Sequence, residues 1–313
     1  MLKSELKNQF FPATLVSLAA TLWAVDGIVL RPYLYNLPVP LVVFIETTIV
    51  ALILTPFFYK NFSSLRNIHY KDWIAFAGVA FFGGALGTMA ITRALFFVNY
   101  VNLSIVIFIQ KLQPVFAISL AAIILKEKLT KEFIVWASLA IIGAYIITFG
   151  FNLPLMNTGD KTAIAALFAL IAAFSFGFST VLSKRALRNI GFQLGTYLRF
   201  SITAIIMLVM VLITNDFNSF SKISTNQFVV FLIIAFSTGG PAIFLYYYGL
   251  KKISASVATI CELAFPLSAV ILEYFVYDKI LSPVQWIGAI ILLFSIIKVS
   301  GINISSFFGN NEK

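Results

Sequence analysis

Long apolar runs separated by short polar segments organise this chain from end to end. About 20 mainly apolar residues carry a helix across about 30 Å of hydrocarbon. Ten stretches meet that length: 12–30, 38–59, 72–97, 101–125, 132–150, 162–183, 191–213, 227–249, 253–275 and 283–300. The third and fourth are parted only by the segment 98–100. The longest polar linkers, 152–161 and 215–226, are too short to hold a soluble domain. The first stretch is too long for a signal-peptide core and lacks a small-x-small cleavage site, so it reads as a retained helix. The pattern predicts an all-α integral membrane protein with ten transmembrane helices.

Shifted by 152 to 153 residues, the chain matches itself. Trp23 falls on Phe176, Arg31 on Lys184, Asn36 on Asn189, Glu46 on Arg199, Ser104 on Ser256, Pro114 on Pro266, Leu129 on Leu281 and Thr130 on Ser282. Two repeats follow, 12–150 and 162–300. Each holds five spans, an odd number, so the second repeat is expected to enter the bilayer inverted relative to the first. Inverted repeats of this kind mark secondary transporters.

Composition agrees with the spans. The 313 residues are 60% hydrophobic and 11% charged, with a mean hydropathy of +0.98, whereas a soluble domain carries about 25% charged residues. With the N-terminus inside, fifteen Lys and Arg fall in cytoplasmic segments and four, Arg31, Lys161, Lys222 and Lys279, fall outside. That bias places both termini in the cytoplasm. It also accounts for most of the net charge of +10 through insertion and anionic headgroups, which leaves no call for nucleic acid as a partner. The lone Cys261 excludes an intramolecular disulfide, and the lone His69 excludes most His and Cys metal or nucleophile sites.

Ionisable residues inside spans are the strongest pointers to chemistry, because each costs about 2.5–3.5 kcal/mol at the bilayer centre. Counting inward at about 1.5 Å per residue puts Glu46, Lys111, Arg199 and Glu262 near the midplane, with Asp26 and Arg93 shallower on the outer side. Two readings stand. The charges form buried ion pairs that lock helices together, or some of them line a cavity and contact a polar solute. Lys111 lies close to Pro114 along the fourth span, and Thr259 and Glu262 lie close to Pro266 along the ninth, at helical spacing. A proline in a helix interior blocks the carbonyl four residues earlier, here Gln110 and Glu262. These carbonyls are then expected to be free for solute, water or an ion, with Pro114 and Pro266 as hinges; the alternative is a packing kink satisfied by neighbouring helices.

Other residues rank lower. Gln110, Gln113, Ser256 and Thr259 are candidates for hydrogen bonds to a solute or for interhelical glue. Trp23 is deep enough to stack on a flat or cationic solute, or to fill the core. Gly83, Gly87 and the Gly239-Gly240-Pro241 segment suggest close helix packing. Tyr246, Tyr247 and Tyr248 stand where an interfacial aromatic belt is expected.

A proline helix that carries Leu112-Gln113-Pro114-Val115 ends in Leu125-Lys126-Glu127-Lys128-Leu129-Thr130 and runs into a helix with Gly143. The second copy shows Phe265-Pro266, Leu281-Ser282, Gln285-Trp286 and Gly288. Ala94-Leu95 and Gly249-Leu250-Lys251-Lys252 precede the two proline helices, and Trp23-Ala24 and Phe176-Gly177 stand at matched positions. In this order the elements resemble the EamA repeat of the drug/metabolite transporter superfamily, over nearly the whole chain. The chain departs from that pattern where Glu46 replaces an arginine of the second helix, which Arg199 retains in the second copy. It departs again where Asp278 and Lys279 stand in place of an acidic residue matching Glu127.

The resemblance implies helices 1, 3, 4, 6, 8 and 9 around a central cavity, helices 5 and 10 at the back, and alternating access. Lys111, Glu262, Asp26 and Arg93 would then lie on cavity helices, and Glu46 and Arg199 on the second and seventh. It also implies a bacterial inner membrane, in keeping with the short loops. A site with both a cation and a carboxylate suits a small zwitterion, so an amino-acid-like metabolite is the expected solute; a nucleotide or nucleotide sugar is the alternative, although Glu262 would repel phosphate. Glu262, Glu46 or Asp26 is a candidate for proton coupling. No cofactor or metal pattern and no nucleophile–base pair stands out, so an enzyme is not expected. A scaffold or receptor without transport is the reading from another class.

Overall fold

The computed structural model describes residues 2–58, 65, 68–97, 103–152, 162–278 and 280–300, and these are all helical or connecting segments. The expected separator 98–100, most of the 152–161 linker, and Lys60, Arg66, Lys161, Lys279 and Lys313 lie outside the described residues, as do the side chains of Lys3, Lys7 and Ser104. Fourteen α-helical segments are seen among the described residues. In chain order they are α1 Leu2–Val25, α2 Val39–Phe58, α3 Tyr70–Val79, α4 Gly87–Phe97, α5 Leu103–Gln110, α6 Gln113–Leu120, α7 Lys131–Phe149, α8 Thr162–Ala186, α9 Phe192–Ile213, α10 Thr225–Ile234, α11 Gly240–Lys252, α12 Ala255–Cys261, α13 Ala264–Tyr277 and α14 Pro283–Val299.

Joined end to end, these segments give nine stretches among the described residues that are long and apolar enough to cross a membrane. The tenth expected span is the apolar helix Pro283–Val299, at 17 residues shorter than the others. Large apolar side chains such as Leu52, Phe57, Ile123, Leu212, Phe275 and Ile290 are exposed on the outside of the bundle, as a lipid solvent permits.

Several passages are continuous in direction but not in hydrogen bonding. The first extends beyond α1 through a π-helical turn, Asp26–Leu30, and a 3₁₀ turn, Arg31–Leu34. π turns also join α3 to α4 (Ala80–Leu86) and α10 to α11 (Ala235–Gly239). Such bulges often mark functional positions because the extra residue turns side chains away from the regular helical face.

The fourth and ninth passages are broken, and the breaks correct the expected proline chemistry. Helix α5 stops at Gln110 and α6 starts at Gln113, while α12 stops at Cys261 and α13 starts at Ala264. Pro114 and Pro266 therefore sit in the first turn of a new helix, where a missing N–H costs little. The Glu262 carbonyl is not free, since it accepts the Phe265 N–H at 3.0 Å. The Leu112 and Leu263 N–H groups likewise close short turns onto Ile109 and Ile260.

Matched local devices recur in the two halves. Lys126 and Asp278 both end helical segments in the left-handed region, at φ 56° and 52°. Thr130 and Ser282 then cap the next helices, accepting from the N–H of Phe133 and Gln285. Gln227 donates to Asn36 Oδ1 at 2.6 Å, and Asn189 donates to Asp72 Oδ2 at 3.1 Å. Asn36 and Asn189 are aligned repeat positions, and Asp72 and Gln227 each stand third in their helix.

Helices α7 and α14 pack together so closely that a Cβ on Gly143 would lie 2.8 Å from the Leu292 nitrogen, and one on Gly288 would lie 2.6 Å from the Ile147 nitrogen. Glu127 anchors the ninth passage. Its two oxygens accept the Ala255 N–H (2.8 Å), the Ser256 N–H (3.0 Å) and the Ser256 hydroxyl (2.6 Å). Loss of a helix cap costs about 0.5–2 kcal/mol. Glu127→Ala is expected to lower the thermal unfolding midpoint by several degrees in detergent, and Glu127→Gln by less.

Candidate functional site

A central cavity of about 270 Å³ is lined from six of these passages and from α2 and α9. Its walls are largely apolar and aromatic, with Trp23, Phe176, Tyr246 and Phe265 among the rings. Trp23 and Tyr246 stand with their centroids 5.3 Å apart. Close helix approach shapes the wall opposite. A Cβ on Gly87 would come within 2.9 Å of the Phe176 ring, and Cβ atoms on Gly83 and Gly84 would collide with Ser179 and Thr203.

The two helix breaks meet in this cavity. Gln110, Lys111 and Gln113 come from the first break, and Glu262 and Phe265 from the second. At the repeat offset Gln110 matches Glu262 and Gln113 matches Phe265, so the halves interlock with unlike residues. Gln113 Nε2 donates to Glu262 Oε2 at 2.6 Å, and the Tyr246 hydroxyl donates to Glu262 Oε1 at 2.8 Å. The Lys111 ammonium sits 3.5 Å from the centre of the Phe265 ring, a cation–π contact. Lys111 and Glu262 therefore share a cavity without pairing: the ion pairs seen among the described residues both belong to Arg31.

Arg31 was expected among the outer loop charges, and the structure corrects this. The π turn has i→i+5 bonding, so the Arg31 N–H reaches the Asp26 carbonyl and the two side chains emerge on one edge. Arg31 Nη2 lies 2.7 Å from Asp26 Oδ2 and 3.2 Å from Glu46 Oε2, with all three side chains 11–14% exposed. Glu46 thus pairs with Arg31 and not with Arg199, its counterpart in the second repeat. Arg199 lines the cavity separately and donates to the Tyr247 hydroxyl at 3.4 Å.

Two candidates fall outside the cavity. Arg93 is exposed, with its guanidinium 5.5 Å from the centre of the Phe97 ring. Thr259 is fully buried and absent from the lining, because α12 ends before Glu262 and the two residues no longer share a helical face. Conversely, Tyr246 and Tyr247 are buried at 3% and 0% exposure and form no interfacial belt. Tyr246 also bonds the Thr180 hydroxyl, and Tyr247 the Ser183 hydroxyl. Only Tyr248 stays near the surface, against Lys252.

One end of the bundle is tied by lysines. Lys184 donates to the Leu250 and Lys251 carbonyls at 2.9 and 3.1 Å, and Lys251 donates to the Ile190 carbonyl at 2.8 Å. Away from that end, the cavity lining extends to Arg31, Tyr35, Thr92 and Leu95.

Comparison with known proteins gives this architecture a context. The model of the EamA-like transporter family matches twice, over residues 11–149 and 163–301. A protein of Fusobacterium nucleatum subsp. nucleatum named riboflavin transporter ImpX is 44% identical over 297 residues, 95% of this chain and 99% of its own. Protein LicB of Haemophilus influenzae is 24% identical over 95% of this chain and 97% of its own. A solved crystal structure superposes with a TM-score of 0.71 at 14% identity, covering 95% of this chain and 99% of that one. The chain is a multi-pass membrane transporter rather than an enzyme, and it belongs to the EamA-like transporter family.

Proposed function

We propose that the cavity carries riboflavin, or a flat heteroaromatic solute closely like it. The observation that carries this reading is an apolar, ring-lined cavity with a hydrogen-bonding cluster at the helix breaks. Aromatic faces at Trp23, Tyr246 and Phe265 suit a planar tricyclic ring, and base-like rings stacked on aromatics gain about 1–3 kcal/mol each. Gln110, Gln113, Lys111 and Glu262 offer donors and acceptors to the polar edge of such a ring, and Arg199 and Thr238 suit a polyhydroxyl chain. The related ImpX protein is named for riboflavin. The cavity, at about 270 Å³, is close to the lower end of small-molecule pockets, ~300–1,000 Å³.

An amino-acid-like zwitterion is the second reading, favoured by the Lys111 ammonium, which forms no direct ion pair among the described residues. Against it, both oxygens of Glu262 are already held by neutral donors, so the carboxylate is poorly placed to take an ammonium group. A nucleotide or nucleotide sugar would have to bring phosphate past Glu262 and the net-negative group at Arg31.

Transport would proceed by alternating access between two inverted repeats, 12–150 and 162–300, with ten spans, both termini cytoplasmic and a bacterial inner membrane as the site. The breaks before Pro114 and Pro266 would serve as hinges. Positive-inside bias would put the lysine-tied end in the cytoplasm.

Thermal unfolding of the purified protein in detergent tests the solute. Riboflavin at saturating concentration is expected to raise the midpoint by several degrees, since a ligand at 100 times its Kd stabilises by about 2.7 kcal/mol. Amino acids and nucleotide sugars are expected to leave it unmoved. A shift with amino acids and none with riboflavin would reverse the two readings.

A further inference from the structure

We propose that Glu46 is the binding site for a coupling proton, exchanged with water in the cavity and switched by Arg31. This rests on the transport reading above but not on the identity of the solute.

Two carboxylates, Asp26 and Glu46, share one guanidinium, so the group as a whole carries one negative charge too many. It is enclosed: the three side chains are 11–14% exposed. Asp26 Oδ1, Glu46 Oε1 and Arg31 Nη1 are each buried without a hydrogen-bond partner among the described residues. Excess charge and open hydrogen-bonding positions in an enclosed site are costly. A proton added to the cluster cancels the charge and supplies a donor.

Geometry selects which carboxylate takes it. Arg31 holds Asp26 with two bonds to Oδ2, Nε at 3.0 Å and Nη2 at 2.7 Å. Glu46 receives only a share of Nη2 at 3.2 Å. Asp26 is the better-held anion, and Glu46 is the carboxylate left to titrate. All three residues line the cavity, which gives water a route to Glu46.

The charges on neighbouring elements do not take over this role. From α9, Arg199 is turned to Tyr247, and Tyr197 stacks on Phe58 at the far end of α2. From α4, Arg93 is exposed against Phe97. On the 3₁₀ turn Asp216–Lys222, Asp216 accepts from the Thr214 hydroxyl and Lys222 is exposed. Helix α10 and the π turn Ala235–Gly239 carry no charged residue. Across the cavity, Lys111 lies on Phe265 and Glu262 is bonded to Tyr246 and Gln113.

The step moves one proton and no electrons. A proton from the bulk, carried as hydronium through cavity water, adds to the Glu46 carboxylate and leaves neutral water, and Arg31 then pairs with Asp26 alone. When the cavity opens to the other side the proton returns to water, and Arg31 again bridges both carboxylates. Arg31 stays charged throughout.

Infrared difference spectra of the purified protein in lipid, titrated across pH without any solute, read the proton directly. A protonated-carboxyl C=O band is expected that disappears in Glu46→Gln, is displaced in Glu46→Asp and survives in Asp26→Asn. In proteoliposomes, an inside-alkaline gradient should raise initial riboflavin uptake several-fold in the wild type, and the ratio with and without gradient should fall to one in Glu46→Gln. A band that persists unchanged in both Glu46 variants, or that vanishes in Asp26→Asn alone, overturns the assignment. So does a Glu46→Gln protein whose uptake still responds to the gradient as the wild type does. If riboflavin is not the solute, the infrared result still decides the proton site.

Discussion

Replacing Arg31 with methionine is expected to destabilise the protein by about 3–5 kcal/mol, the usual cost of removing one partner from a buried ion pair. At about 2–4 °C per kcal/mol for a large domain, the unfolding midpoint should drop by on the order of ten degrees. A surface arginine would cost within about 0.5 kcal/mol, so the size of the loss separates the buried position from the loop position its sequence context suggests. The damage comes from two carboxylates left enclosed without a cation, not from lost packing, because methionine keeps most of the side chain's volume. Neutralising them should therefore repair it. The triple variant Asp26→Asn, Arg31→Met, Glu46→Gln is expected to recover most of the midpoint. Thermal unfolding of the single, the Asp26→Asn/Glu46→Gln double and the triple variant checks this, and a single variant that melts with the wild type would remove Arg31 from the interior.

Glu262→Ala should weaken solute binding by at least tenfold while the protein remains folded. The substitution strips the acceptor from two donors at once, the Tyr246 hydroxyl and the Gln113 amide. Each donor left without a partner costs about 1–3 kcal/mol, and the Tyr246 ring and the Gln113 amide then lose their fixed orientation toward the cavity. At about 1.4 kcal/mol per factor of ten, affinity is expected to fall by at least tenfold to a hundredfold. Glu262→Gln keeps one acceptor and should lose less. Tyr246→Phe combined with Glu262→Gln should cost less than the sum of the single effects, since both changes break the same bond. Quenching of riboflavin fluorescence by the purified Glu262→Ala, Glu262→Gln, Tyr246→Phe and double variants measures these effects. Full affinity in Glu262→Ala would show that this network faces away from the solute.

Length and hydropathy made the membrane passages legible, because crossing hydrocarbon imposes one requirement on every helix regardless of its neighbours. The paired prolines mark the two helix breaks, but for a different reason than the interior kink their positions suggest. They open new helices after a break, and polar residues at the breaks, Lys111, Gln113 and Glu262, line the cavity. Depth along a helix could be counted, but rotation about its axis could not be followed through a π turn or a break. For that reason spacing groups Thr259 with Glu262 although Thr259 is fully buried away from the cavity, and puts Arg93 on a cavity helix although its side chain is exposed and outside the lining.

Arg31 was hidden by the same limitation. Hydropathy ends the first span near Leu30, whereas the helix continues through Arg31–Leu34 and folds the guanidinium back onto Asp26. The five-residue spacing from Asp26 to Arg31 is the one signal in the sequence, and it becomes meaningful only once a π turn is known. A general tendency of membrane aromatics puts Tyr246 and Tyr247 at the interface, while their hydroxyls bond Glu262, Thr180 and Ser183 in the interior.

Counterflow in liposomes tests most directly whether the cavity at the two helix breaks is the transport path. Vesicles loaded with unlabelled riboflavin and containing the wild-type protein are expected to accumulate labelled riboflavin transiently above equilibrium, and vesicles with folded Glu262→Ala are expected to stay at the level of empty liposomes. Equal counterflow by the two proteins would contradict the account.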